Sequence, residues 1–195
     1  MTRVQFSEIL RLSLGVESQD FRASMDDRVL WRLGDMVRGE LIFQYIGTTS
    51  SISEFSQGIV FPVKHDTVRN RNYIDVGGKV LSLPDNKAIV SVGLTQGDEE
   101  PFTLTEAGQL GIASGLECAD IGTSYWEQGA RIYFNNLGNE ILEVLVIAIP
   151  SIDALSDDDD VPIPSGMESQ WIDKTKAKLF PQQPEDKSVD TRQAT

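Results

Sequence analysis

The spacing of apolar residues changes at Gly47, and the change divides the chain into two kinds of secondary structure. Before it, "SMDDRVLWRLGDMVRGELIFQYIG" places Met25, Val29, Leu33, Met36, Val37 and Leu41 at the three- and four-residue intervals that gather side chains on one side of a helix. That side is expected to be core. Ser24 is expected to be the N-cap, with Asp27 three residues on and Asp26 beside it near the positive end of the helix dipole. Trp31, Ile42 and Ile46 fall elsewhere on the helical wheel, so the helix is apolar on more than one side. Such a helix is either buried within its own domain or covered by another subunit. Upstream, Val4, Phe6, Ile9, Leu10 and Leu12 predict a shorter helix that ends near Gly15.

After Gly47 the segments "GIVFPVKHDTV", "RNYIDVGGKVLSL", "AIVSVGLT", "PFTLTE", "ARIYFNNLG" and "NEILEVLVIAIP" are short, rich in β-branched and aromatic residues, and punctuated by Gly, Pro, Asn and Asp. They predict mostly antiparallel strands. Asn135 through Asn139 predict a hairpin turn from Ile132-Tyr133-Phe134 into the most apolar strand, Ile141 to Ile149. Because that strand is apolar on both faces, Val144, Leu145, Val146 and Ile147 are expected at the centre of a sheet covered on both sides, with the long helix over one of them. The fold class is therefore α+β: an antiparallel β-rich domain, sandwich-like or barrel-like, with N-terminal helices and a C-terminal helical arm. The boundaries are 1–47 for the helical segment, 48–155 for the β-rich body, 156–164 for an acidic linker, 165–181 for the last helix and 182–195 for a disordered tail.

At 195 residues the chain is long enough for one domain with a sizeable core, or one domain with arms. Its formal charge of -13 argues against general nucleic-acid binding, which depends on Lys and Arg neutralising phosphates. The charge is unevenly placed. Residues 1–87 carry 11 basic and 11 acidic side chains, residues 88–173 carry Arg131 alone against 16 acids, and residues 174–195 carry 5 basic and 3 acidic. Such polarity along a chain suits complementary contacts between copies or with a partner. No run approaches the roughly 20 apolar residues of a membrane helix, and "MTRVQFSEILRLSLG" lacks the pattern of a secretory signal, so a soluble chain not exported by the standard route is expected.

Catalytic signatures are scarce. There is no phosphate loop, dinucleotide turn, zinc-protease helix or nucleophile elbow, and one histidine, His65, with one cysteine, Cys118, leaves few soft metal ligands. "SYWEQG" is the most enzyme-like fragment, because Trp126 could stack on a sugar while Glu127 pairs with Asp120 or Glu117 for acid/base work. The simpler reading is aromatic packing at a turn. Neither a catalytic residue nor a cofactor or metal site is expected.

"DDDDVPIPSGMESQWIDKTKAKLF" is the most unusual stretch. Asp157 to Asp160 could hold a hard cation, but their spacing is not that of a calcium loop, and a self-repelling solvated linker fits better. Pro162 and Pro164 hold the following backbone extended, and Ser165 offers an N-cap to a helix whose Met167, Trp171 and Leu179 share a face. Two readings follow. Either this is an arm that docks on another subunit, or it is a helix packed on its own domain. The expected interface residues are Trp31, Ile42, Ile46, Met167, Trp171 and Leu179.

The order of parts resembles a known family. A helix with "DDRVLWRLGDMVRGELIFQYI", a β-rich body with "LSLPDNKAIVSVGL" and "YWEQGARIYFNN", then "ILEVLVIAIPSID", the acidic Pro-containing lead into a helix and a final "PEDKSVDTRQ" resemble ring-forming structural proteins at the neck and tail of crAss-like and related short-tailed bacteriophages. The resemblance implies a non-enzymatic virion protein, made in the bacterial host cytoplasm and set in a ring with copies of itself beside portal and other neck or tail proteins. It implies no direct nucleic-acid binding and no membrane. An alternative of another class is a soluble acidic inhibitor that mimics DNA to block a nucleic-acid enzyme.

Overall fold

The computed structural model describes residues 1–13, 26–49, 52–84, 87–95, 100–105 and 122–180. Helix α1 spans Arg3–Ser13 and opens with a reciprocal capping box. Thr2 Oγ1 accepts from the Gln5 amide at 3.3 Å, and Gln5 Oε1 accepts from the Thr2 amide at 3.0 Å. Helix α2 spans Asp27–Thr49. Its cap is Asp26, whose Oδ1 accepts from the Arg28 amide at 3.0 Å. The expected cap Ser24, together with Met25 and Gly15, lies outside the described residues.

The buried side of α2 differs from the expected one. Leu30, Val37, Arg38, Leu41 and Ile42 are buried, whereas Val29 and Met36 are exposed and Leu33 is half-buried. The reason is that the inward face contains Gly34 and Arg38, which no hydrophobic count registers. Gly34 is where α1 and α2 touch: a Cβ there would sit 2.7 Å from the Phe6 ring.

The strands are β1 Gln57–Pro62, β2 Lys64–Asp66, β3 Arg71–Asp75, β4 Ile89–Leu94, β5 Thr103–Leu104, β6 Ser124–Gln128, β7 Arg131–Asn135 and β8 Glu143–Ala148. They form a three-stranded sheet in the order β1-β8-β4 and a five-stranded sheet in the order β2-β3-β7-β6-β5. All pairings are antiparallel except β5 with β6. Phe61, Val92, Val144 and Val146 of the first sheet share one core with Ile74, Tyr125, Ile132 and Phe134 of the second, so the body is a sandwich.

Three expectations about the body are corrected. First, β7 and β8 are not a hairpin: they belong to different sheets, and residues 136–142 carry the chain from one layer to the other, with Asn136 at φ 55°. Second, β8 is central in its sheet but buried on one face, since Val144, Val146 and Ala148 point into the sandwich while Ile147 is exposed. Third, α2 does not cover β8. It packs instead on α1, on the 3-10 turn Ile152–Ala154 and on the last helix, α3, Glu168–Leu179. A smaller cluster of Ile42, Phe55, Leu81, Leu83, Ala88 and Ile149 joins the C-terminal half of α2 to the sandwich.

The helical layer holds its own core, in which Phe6, Leu10, Leu30, Val37 and Leu41 meet Ile152, Leu155, Val161, Trp171 and Ile172. Helix α3 starts later than expected, because Gly166 at φ 79° turns the chain and Ser165 does not cap it. Its Lys176 Nζ donates to the Ser13 carbonyl at 2.6 Å, and Lys178 Nζ pairs with Glu40 at 2.5 Å, which fixes the outer edge of α3 to α1 and α2.

Candidate assembly surfaces and a basic groove

The expected interface residues turn inward. Trp171 is fully buried: its ring stacks on Phe6 with centroids 4.0 Å apart, and its Nε1 donates to the Gly34 carbonyl at 2.8 Å. Ile42 is also fully buried. Met167, Leu179 and Trp31 are half-buried around the same helical core, and Trp31 Nε1 donates to Ser7 Oγ at 2.9 Å. Ile46 lies against the smaller cluster. The C-terminal helix is therefore not an arm; it docks on its own chain because α1 and α2, together with Ile152, Leu155 and Val161, offer Trp171 and Ile172 an apolar socket.

The aspartate run is corrected with it. Asp157 Oδ1 lies 2.6 Å from Arg3 Nη2, Asp160 Oδ1 lies 2.9 Å from the Met1 amino group, and the Val161 amide donates to the Met1 carbonyl. Asp159 Oδ2 accepts from the Ser156 amide at 2.8 Å and closes a turn. Rather than repelling the body, the carboxylates clasp the start of α1, where the helix dipole also favours them. Each exposed pair contributes about 0–1 kcal/mol.

Among the described residues, exposed apolar side chains line up along an element or across a sheet at two sites, while others such as Leu12 and Leu142 are exposed elsewhere. Val29, Met36 and Phe43 recur every seven residues on α2, share one side, and are exposed, Met36 by 58%. On the three-stranded sheet Val60, Val90 and Ile147, one from each strand, are exposed, with Leu145 between Val60 and Gly93 in register. The sequence marked Val29 and Met36 as apolar but assigned them to the core.

The outer face of the five-stranded sheet carries a different chemistry. Tyr73, Tyr133 and Trp126 lie directly opposite one another on β3, β7 and β6. Arginines lie over all three: Arg131 is 4.7 Å from the Tyr73 centroid, Arg69 4.8 Å from Tyr133 and Arg71 5.1 Å from Trp126. Tyr133 and Trp126 are left only 3% and 7% exposed. Trp126 is thus a covered ring on a strand, stacked on Tyr133 at 5.3 Å, with no face for a sugar. Glu117, Asp120 and Cys118, like the tail 182–195, lie outside the described residues.

Beside these arginines a groove of about 800 Å³ runs between the β2–β3 turn and the end of β7. It is lined by Arg69, Arg71 and His65 with five asparagines, and none of its described lining residues is acidic. Asp66, close by, is turned away: its Oδ1 accepts from the Val68 and Arg69 amides at 3.0 and 3.2 Å, and its Oδ2 from the Tyr133 hydroxyl. The Arg69 amide above all holds its carboxyl below the ordinary 3.8. A depressed carboxylate stabilises the fold fully above the ordinary value and loses that contribution as pH falls through the folded one. Asp66→Asn should therefore be less stable than wild type at neutral pH, and the gap in urea denaturation should close in acid. A gap that persists unchanged in acid would contradict this role.

A second cavity, of about 260 Å³, is lined by Gly77, Gly78, Ala130 and Ile132, with Glu127 and Arg131. Among the described residues no group of three His, Cys, Asp or Glu is placed to hold a metal ion, and no helix is long and apolar enough to cross a membrane. No protein-family model matches the chain, and no curated protein matches it.

Proposed function

We propose that the chain is a non-enzymatic structural subunit that assembles with copies of itself into a ring in the neck or tail of a bacteriophage particle, beside portal and other neck or tail proteins. The observation that carries the reading is the pair of open apolar surfaces, the Val29-Met36-Phe43 stripe and the Val60-Val90-Ile147 sheet face. Contiguous exposed apolar surface marks interaction sites. Two unlike surfaces on one chain are what a head-to-tail contact needs, and such contacts close into rings when the rotation between neighbours permits. The neck or tail placement rests on the resemblance in the order of parts.

Native mass spectrometry of the full chain, alone and with the portal-tail fraction of purified particles, tests it. The wild-type chain should associate, and Met36→Glu or Ile147→Glu should each weaken association by about tenfold or more while melting stays within a few degrees, since neither side chain is core. A chain that stays monomeric in both settings and is missing from particles that contain portal and tail proteins would sink the ring and favour the single-copy acidic mimic.

A further inference from the structure

We propose that the groove lined by Arg69, Arg71 and His65 receives the acidic Asp157–Asp160 stretch of a second copy of this chain. The inference rests on the assembly reading and adds the charged half of the contact. A chain of net charge -13 repels its copies unless the interface sets opposite charges together. The groove is a basic surface suited to that role, since none of its described lining residues is acidic.

The donors are free to act. A guanidinium offers five N–H groups in a planar fork that matches a carboxylate. Arg69 uses one side-chain N–H on Gln128 Oε1, and Arg71 uses one on Asn135 Oδ1. Each guanidinium carbon lies over an aromatic ring, 4.8 Å from its centroid for Arg69 and 5.1 Å for Arg71, and a contact of that kind restrains the side chain.

The occupant follows from the other side of the molecule. Asp157 and Asp160 anchor the run to Arg3 and to the Met1 amino group, yet their side chains remain 67% and 83% exposed. Asp158, between them, is exposed as well. The run is thus already ordered, so docking it costs less entropy than ordering a loose acidic loop. Single-stranded nucleic acid fits less well, because sequence-tolerant binding relies on open aromatic faces, and those of Tyr133 and Trp126 are covered. Groove and run are separate surfaces, as a head-to-tail contact requires.

The test is complementation between two full-length variants, Arg69→Glu, which cancels the formal charge of the two groove arginines, and Asp158→Lys, which halves the charge of the run. Each alone should self-associate about tenfold or more weakly than wild type; Asp158→Lys should melt with wild type, while Arg69→Glu, which gives up its contacts with Tyr133 and Gln128, should melt lower but remain folded at the assay temperature. Mixed, they should associate more strongly than either variant alone, because the intact run of the first variant meets the intact groove of the second. A parallel arm titrates the wild-type chain with a labelled peptide, ALSDDDDVPIP, and with its form in which the four aspartates are asparagine. Binding of the aspartate peptide to wild type and its loss in Arg69→Glu are expected. Failure of the mixture to pair while wild type associates would overturn the proposal, as would equal binding of both peptides or tighter binding of a thymidine oligonucleotide that displaces the peptide. If wild type does not associate at all, the assembly reading fails, and the peptide arm alone decides the groove.

Discussion

Trp171→Ala is expected to destabilise the isolated chain by about 3–5 kcal/mol, the range for truncating a large aromatic in a core that relaxes only in part. Two losses combine in this variant. The Phe6 ring loses a partner stacked 4.0 Å away, and the Gly34 carbonyl loses its indole donor. For a chain of this length the melting temperature should fall by roughly 10 °C or more. Trp171→Phe keeps a ring against Phe6 and loses only the N–H, so it should cost about 1–2 kcal/mol. Deleting residues from 156 onward should be worse than either, since Val161, Trp171 and Ile172 leave the helical core together. Calorimetry on the three variants checks the order. A Trp171→Ala chain that melts with wild type would mean that α3 does not hold the helical layer together.

Arg38→Ala is expected to cost a similar amount for an electrostatic reason. Arg38 is fully buried, lies 2.8 Å from Asp35 and donates to the Pro150 carbonyl, while its Nε and Nη1 have no hydrogen-bond partner among the described residues. Asp35 Oδ2 in turn accepts from the Ile152 amide at 2.9 Å. Burial pushes the Asp35 carboxyl up and the Arg38 guanidinium down, and each partner pulls the other back toward its charged form. Removing the arginine strands a buried carboxylate, a change that typically costs about 3–5 kcal/mol.

The pH dependence of that variant has a definite sign. Without Arg38 the Asp35 carboxyl rises further above its ordinary 3.8, so the folded state binds more protons than the unfolded one. Stability then falls as pH rises through the folded value, and the deficit against wild type should widen from acid toward neutral. Arg38→Met with Asp35→Asn, which removes both charges and keeps an acceptor for the Ile152 amide, should recover most of the loss. Urea denaturation across pH measures this; a deficit that narrows toward neutral pH would refute the assignment.

How much of this was legible in the sequence depended on the kind of signal. Most strand segments and the helix–sheet division followed from apolar periodicity, which depends on local geometry alone, but Ser124–Gln128 was read as a turn and is strand β6. The face of α2 was misjudged because Gly34 and Arg38 sit on the buried side for reasons of close approach and ion pairing, while Val29 and Met36 sit outside. The turn at Asn135–Asn139 was legible, but not that it links two sheets, since turn chemistry does not reveal which strand comes next in space. Met167, Trp171 and Leu179 were correctly grouped as one apolar face of α3. Whose surface that face met was a question of partners 130 or more positions away, as the Trp171 to Gly34 bond illustrates with its separation of 137. The capping box at Thr2 and Gln5 was readable and missed, and the basic groove was invisible because Arg69, Arg71, Asn135 and Asn139 converge only in the fold.

The socket that α1 and α2 present to Trp171 also has a consequence in time. A ribosome adding about 5–20 residues per second needs roughly ten seconds to pass from Leu41 to Trp171. For most of that interval Phe6, Leu30, Val37 and Leu41 have been made, but Ile152, Leu155, Val161, Trp171 and Ile172, which pack on them, have not. A nascent or prematurely terminated chain therefore shows a sticky helical pair that a finished one conceals. Chaperones and proteases can read that difference, so truncated copies are expected to be cleared faster than full-length ones.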